Sequence, residues 1–282
     1  MPRDNKKIQD YILKDKEDEE LFRLGFQHQV WKTETDEIIQ KAGFKKDQTI
    51  LDLGCGPGYL SFELSEIVGS KGQVIALDNS EKFINHLNSK VLSKNFSIIT
   101  AKLIDINEIQ KLILKPESID GAIARWVFMF INDPASIIKQ VRRLLKPNGV
   151  FAIMDYFQFR TMSLYPQSTA FTKIYRAVFE LIKIHGGNAD RGCEIPELLA
   201  RHGFKLKKVY PILRFGTHDS PLWKWLEITG RNHDNLIDAG LITEEELAEY
   251  YRDWSERSKN EHAFFTAPPI LVTIAMKSNH ET

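Results

Sequence analysis

Cysteine is nearly missing from this 282-residue chain: Cys55 and Cys193 stand alone, with no C-x-x-C pair and no histidine-rich neighbourhood, so neither a disulfide framework nor a metal site is expected. Excess charge is missing as well. The 38 Lys and Arg side chains are matched by 38 Asp and Glu, so no overall positive field draws the protein to nucleic acid or to an anionic membrane. Nor does any apolar run approach the roughly 20 residues that span a bilayer, and the N-terminus is too polar for a signal peptide. Those absences point to a cytoplasmic protein. What is abundant is core material: 43% of residues are hydrophobic, enough for one large domain with insertions.

From Gln48 to Ala152 short apolar runs alternate with amphipathic stretches, the pattern of βαβ units around a parallel sheet. Strands are expected at 49–53, 73–77, 96–104, 119–124 and 149–155. Between the last two, Ile137, Ile138, Val141, Leu144 and Leu145 recur at helical spacing, and Asn148-Gly149 turns the chain back into the sheet. Residues 5–43 read as helical, with a charge run at 14–20 expected to be a solvated helix start. After the fifth strand an apolar stripe from Phe171 to Ile182 reads as a long packed helix. A strand is expected at about 204–214, two helices in 219–258, the second opened by a Thr243/Glu246 capping box, and a last strand at 270–275. The expected architecture is α/β: a Rossmann-like, doubly wound, seven-stranded, mostly parallel sheet with helical cap insertions. Residues 1–45 form an N-terminal helical cover, 46–160 the core, and 161–282 the last strands with the insertions.

The strand at Ile50–Leu53 runs into Gly54-Cys55-Gly56-Pro57-Gly58 and then into a helix beginning near Tyr59. Glycine permits a sharp turn and close ligand approach, and a helix start presents free N–H groups. Dinucleotide sites use G-x-G-x-x-G, whereas here Tyr59 stands where the third glycine would be and the spacing is G-x-G-x-G. Cys55 reads as a small residue that fits the turn. The next strand ends in Asp78, about 20 residues beyond the turn, where a carboxylate can take both ribose hydroxyls. Asn79 and Ser80 follow, and Ser80 also suits a helix cap.

On these residues the segment 49–155 resembles the class I S-adenosylmethionine (SAM)-dependent methyltransferase family, in its small-molecule branch of quinone and natural-product enzymes. The resemblance implies SAM as cofactor and S-adenosylhomocysteine as product, with Asp52 orienting the turn and the methionine amino group, and Gly54, Cys55, Gly56 and Gly58 lining the donor. It also implies an adenine contact after the third strand, from Lys102 or from Asp105 with Ile106 beside it. After the fourth strand, Asp120 to Pro134 resembles the family's next segment, which places Arg125 and Trp126 at the reactive end of the cofactor. Leu145-Lys-Pro-Asn-Gly149 resembles its L-x-P-G-G turn, with Asn148 in place of the first glycine.

Methyl transfer is an in-line displacement in which alignment and exclusion of water do most of the work, so a general base is optional. The catalytic residues are left unassigned. His28, Tyr11, Asp155 and Tyr156 are candidates, and Gln27 and Trp31 in the N-terminal segment are candidate cofactor contacts by the same resemblance. The late aromatics Trp223, Trp225, Tyr250, Tyr251, Trp254, Phe264 and Phe265, assigned to late helices and a final hairpin, are expected mostly to pack. No Asn-Pro-Pro-aromatic tetrapeptide follows the fourth strand, which removes support for exocyclic-amine methylation. The leading expectation is methylation of a small, partly apolar metabolite, with a homodimer left open. An RNA methyltransferase, hinted at only by Lys139–Arg143 and Lys205–Lys208, and a SAM-binding regulator without turnover are the alternatives.

Overall fold

The computed structural model describes residues 17–94, 96–230 and 233–278. In chain order the elements are α1 (Glu17–Val30), α2 (Lys32–Ala42), β1 (Thr49–Leu53), α3 (Tyr59–Val68), β2 (Gln73–Asp78), α4 (Glu81–Lys94), β3 (Ile99–Leu103) and β4 (Ile119–Arg125). They continue with α5 (Pro134–Leu144), β5 (Leu145–Tyr156), β6 (Ser163–Tyr165), α6 (Thr169–Ile184), α7 (Ile195–Arg201), β7 (Phe204–Ile212) and β8 (Phe215–Thr217). The chain ends through α8 (Pro221–Thr229), α9 (Asp234–Asp238), α10 (Glu244–Arg257), β9 (Phe264–Thr266) and β10 (Ile270–Lys277). These fall into two compact units. A sheet unit holds Lys32–Asp155, Arg191–Tyr210 and the chain from Leu271, and a helical unit holds the chain up to Trp31, Tyr156–Asp190 and Pro211–Ile270.

The sheet unit is a seven-stranded sheet in the order β3-β2-β1-β4-β5-β10-β7. β1 pairs in parallel with β2 and β4, β2 with β3, and β4 with β5. A strand buried on both faces must be apolar throughout, and β1 and β2 are buried along nearly their whole lengths. α5 shows how a flanking helix is specified. Asp133 accepts the N–H of Ser136 at 3.1 Å, Pro134 starts the first turn, and Ile137, Ile138, Val141 and Leu144 fall on one buried stripe. Each such side chain contributes roughly 1.5–3 kcal/mol by leaving water. After α5, Asn148 adopts the left-handed conformation (φ 62°) expected of the residue standing in for glycine.

The helical unit contains α1, α6, α8, α9, α10 and a three-stranded sheet in the order β6-β9-β8. Both pairings are antiparallel, with Phe265 opposite Leu164 on one side and Gly216 on the other. Phe264 and Phe265 therefore lie on a central strand of this sheet and not in a hairpin with β10. A Cβ on Gly216 would meet Phe265 Cε1 at 2.2 Å, so the aromatic ring occupies the space that a side chain there would need. α6 is capped by Ser168, whose Oγ accepts the N–H of Phe171 at 2.9 Å. The capping box of α10 forms in both directions between Thr243 and Glu246.

Several elements depart from expectation. The N-terminal helical stretch breaks at Trp31 into α1 and α2. Of the charge run at 14–20, residues 14–16 lie outside the described residues; Glu19 is exposed, whereas Glu20 is 2% exposed, with Arg23 donating to both of its oxygens at 2.6 and 2.7 Å. The region 219–258 holds three helices, since the short α9 separates α8 from α10. β3 begins at Ile99, three residues later than the apolar run suggests, because Phe96–Ile98 turn back toward the end of α4. Among the described residues no helix is long and apolar enough to cross a membrane, and no three His, Cys, Asp or Glu converge as a metal-binding group.

Candidate cofactor site

The order of the sheet reverses between β1 and β4. In open parallel sheets a ligand lies beyond the carboxyl ends of the strands at such a point. The turn that leaves β1 there is left-handed at Gly54, Gly56 and Gly58, with φ of 66°, 54° and 89°. A Cβ on Gly54 would lie 2.5 Å from Val127 Cγ2, so that glycine admits the β4 loop. At Gly56 a Cβ would meet nothing within 4 Å; this glycine opens onto free space. Cys55 donates its N–H to the carbonyl of Leu77 at 2.9 Å and is buried, which matches its reading as a small residue in a turn.

Asp78 closes the turn from the neighbouring strand. Its Oδ2 accepts the N–H of Gly56 at 2.8 Å and its Oδ1 the N–H of Ser80 at 2.9 Å. Burial raises its pKa, and the N–H groups of Ser80, Gly56 and Asn79 oppose that rise. A carboxylate has about four acceptor positions, so acceptor capacity remains beside these N–H groups. Ser80 also caps α4 through the N–H of Phe83, as its reading as a helix cap expects.

Asp52 sits deeper, 1% exposed, and accepts the hydroxyl proton of Ser61 at 2.6 Å, which ties β1 to α3 across the turn. Burial pushes its pKa up to about 6; Ser61 and the charge of Arg125 pull it down, and Asp78 adds to the rise. Arg125 donates from Nη1 to Thr35 Oγ1 on α2 at 3.0 Å, and its guanidinium lies 5.2 Å from the Trp126 ring. Burial lowers the pKa of Arg125 against the attraction of Asp52 and Glu63. Glu63 in turn pairs with Lys32 at 2.5 Å. Trp126 is left-handed (φ 56°) and donates its N–H to the Met154 carbonyl at 2.8 Å. A bulky residue in that region stores about 1–3 kcal/mol of strain, and such residues cluster at functional sites.

The remaining candidates are placed as follows. Asp105 Oδ1 accepts both the backbone N–H and the side-chain amide of Asn107 at 2.9 Å, capping a 3-10 turn over 106–111 in which Ile106 is buried. Lys102 lies within β3, opposite Leu77. Asp155, fully buried at the end of β5, accepts the N–H of Met129 at 3.2 Å and so anchors the 3-10 turn Phe128–Phe130. Gln27, His28, Trp31 and Tyr156 belong to the helical unit. There the Gln27 Oε1 accepts from Trp225 Nε1 at 3.1 Å and from Arg23 at 3.2 Å, and Trp31 meets Trp225 edge-on at 5.6 Å under the Arg214 guanidinium at 4.9 Å. His28 is buried in α1, and Tyr156 packs edge-on against Phe159. Tyr11 lies outside the described residues. Thr35, Ser61 and Glu63 are members of the site that sequence reasoning missed. Ser61 had a signal, because it falls one turn into the helix that the glycine turn opens; Thr35 lies 90 positions from Arg125 and had none.

Residues 44–217 match the family described as "Methyltransferase domain". A 2-phytyl-1,4-naphtoquinone methyltransferase of a Nostoc strain is 32% identical over 144 residues, 48% of this chain and 59% of that protein. A demethylmenaquinone methyltransferase of Staphylococcus epidermidis is 27% identical over 157 residues, 55% of this chain and 58% of that protein. The chain thus spans somewhat under two thirds of the length of these curated relatives. In fold, the YcgJ protein of Bacillus subtilis superposes with a TM-score of 0.61 at 14% identity, covering 87% of this chain and 98% of that one. The matched segment contains the whole glycine turn, Asp78 and the β4 loop, and the chain belongs to this methyltransferase-domain family.

Proposed function

We propose that this chain transfers the methyl group of SAM to a small, largely apolar acceptor of the quinol class. The observation that carries the reading is the turn at 54–58. It is left-handed at alternate residues, closed by the Asp78 carboxylate, and open to free space at Gly56 at the point where the sheet order reverses. The names of the curated relatives support a quinone-like acceptor.

SAM, when bound, supplies a methyl group already activated on a sulfonium. The side chains of the site then have binding and orientation to do. Asp78 takes the ribose hydroxyls on its unused lone pairs, and Gly56 gives the donor room against the backbone. Asp52 sets the turn through Ser61 and offers negative potential to the amino group of the methionine. Arg125, held by Thr35, offers the complementary charge to its carboxylate. SAM would give up its methyl group and be left as S-adenosylhomocysteine, and the acceptor would lose one proton to solvent, with no base of the site assigned to it. The exposed lysines at 205, 207 and 208 lie along β7, the last strand of its sheet, where charge discourages edge pairing; that role needs no RNA.

Calorimetry with SAM and S-adenosylhomocysteine tests the donor: binding is expected, with Asp78→Ala weakening it at least tenfold, and absence of binding defeats the reading. Transfer of labelled methyl to 1,4-naphthoquinols with and without an isoprenoid tail tests the acceptor. Binding of SAM without transfer to any apolar acceptor would favour a regulator.

A further inference from the structure

Arg125 ends β4 beside the glycine turn, and a bond from outside that turn fixes the place of its guanidinium. Its Nη1 donates to the Oγ1 of Thr35 on α2 at 3.0 Å, and Thr35 is 1% exposed. Threonine is branched at Cβ and stiff at χ1, so its oxygen is a fixed point for a long, flexible partner. A guanidinium carries its donors in one plane, and that plane must be set before it can meet a carboxylate with two parallel bonds.

The same face of α2 also answers a competing charge. Lys32, one turn before Thr35, pairs with Glu63 of α3 at 2.5 Å. Glu63 attracts the charge of Arg125, so the lysine offsets a carboxylate that would draw the guanidinium toward α3. Asp52 attracts it as well, yet burial still holds the pKa of Asp52 at about 6, so Arg125 does not neutralise that carboxylate as a bonded partner would. Lys32, Thr35, Asp52, Glu63 and Arg125 all belong to the sheet unit. A bond that served only to tie α2 to β4 would need no charge. Burial works against the charged form of Arg125, and two neutral partners would make that tie with a smaller desolvation penalty. A cation kept in such a place suits an anionic group on a ligand.

We propose that Thr35 is a positioning residue for the methyl donor: it holds the Arg125 guanidinium in the orientation that receives the carboxylate of the donor's methionine, and so sets how strongly the protein prefers a donor bearing that carboxylate. This role rests on the donor site and on the use of Arg125 proposed above.

Calorimetry on the full chain with SAM and with decarboxylated SAM, which differs only in lacking that carboxylate, tests the role. The wild type is expected to prefer SAM by about tenfold or more, the worth of a hydrogen-bonded pair between charged groups. Thr35→Val keeps the shape and removes the oxygen, and it should lower the preference at least threefold while leaving the affinity for decarboxylated SAM unchanged. Thr35→Ser returns the oxygen and should restore most of the preference. Arg125→Gln should abolish it, and adding Thr35→Val to that variant should change nothing further, because Thr35 acts through the guanidinium. Thermal denaturation shows which variants are folded, and Thr35→Ala takes the place of Thr35→Val if that one is not. An unchanged preference without the oxygen, an equal loss for both ligands, or a serine variant no better than the valine one would overturn the role of Thr35. Equal binding of the two ligands to the wild type would overturn it as well and leave the donor reading standing. No binding of SAM to the wild type would defeat the donor reading itself, and this role with it.

Discussion

Replacing Asp52 by Asn should make the protein more stable and worse at its task. The carboxylate is fully buried, and its pKa stands at about 6 against an ordinary value of 3.8. At pH 7.5 the native state must therefore hold an ion that its surroundings disfavour. The difference of about 2 pKa units corresponds to about 3 kcal/mol between charged and neutral forms. The sign follows from proton counts. Between pH 3.8 and 6 the native chain binds the proton that the unfolded chain has lost, so stability contributed by this group is fully present below pH 3.8 and is lost as pH rises through 6. Asparagine retains an oxygen for the Ser61 hydroxyl and carries no charge. Asp52→Asn should therefore gain about 2–3 kcal/mol of unfolding free energy in urea at pH 7.5, and the gain should shrink to nothing by about pH 4. On the proposed function SAM affinity should fall in the same variant, because the negative potential that Asp52 is proposed to offer the donor's amino group is gone. A cationic ligand also lowers the pKa of the carboxylate, so SAM binding to the wild type at pH 5.5 should release a proton, and binding to Asp52→Asn should not. An Asn variant of unchanged or reduced stability at pH 7.5, or a gain that does not vary with pH, would refute the reasoning.

His233 gives the opposite slope. Its native pKa of about 4 lies below the ordinary 6.5, so the stability it contributes is present above pH 6.5 and is lost as pH falls toward 4, about 3 kcal/mol in all. His233→Phe should flatten the acid limb of the stability curve measured by urea denaturation between pH 7 and 4. Gly56→Ala places a methyl where nothing else lies, so the fold should lose only the 1–2 kcal/mol of a left-handed alanine while SAM affinity falls at least tenfold by calorimetry. Gly54→Ala meets Val127 at 2.5 Å and should cost more stability than Gly56→Ala in the same denaturation assay. Thr243→Ala removes half of the α10 capping box and should lower the unfolding free energy by about 1 kcal/mol, with SAM affinity unchanged.

The parts of this protein that could be read from sequence are those written locally. β1, β2, β4 and the β10 strand announce themselves because a strand buried on both faces must be apolar for its whole length, and α5 because one stripe of four apolar residues faces the core. The glycine turn is legible for the same reason, since the glycines, Asp52 and Asp78 fall in one βαβ unit whose geometry is set by spacing. β6, β8 and β9 are three residues each, too short for any periodicity, and they pair only because folding brings together segments about 50 (β8 and β9) to 100 (β6 and β9) residues apart. The Arg125–Thr35 bond and the double use of the Gln27 carbonyl are likewise products of tertiary packing. His233 is the sharpest case. In sequence it is one histidine after a glycine, and histidine is most often a surface residue. Its burial comes from Tyr175 and Tyr250, which lie on two other helices and carry no motif. The glycine turn and its two carboxylates are neighbours along the chain, whereas the aromatic residues around His233 come from segments far apart in it.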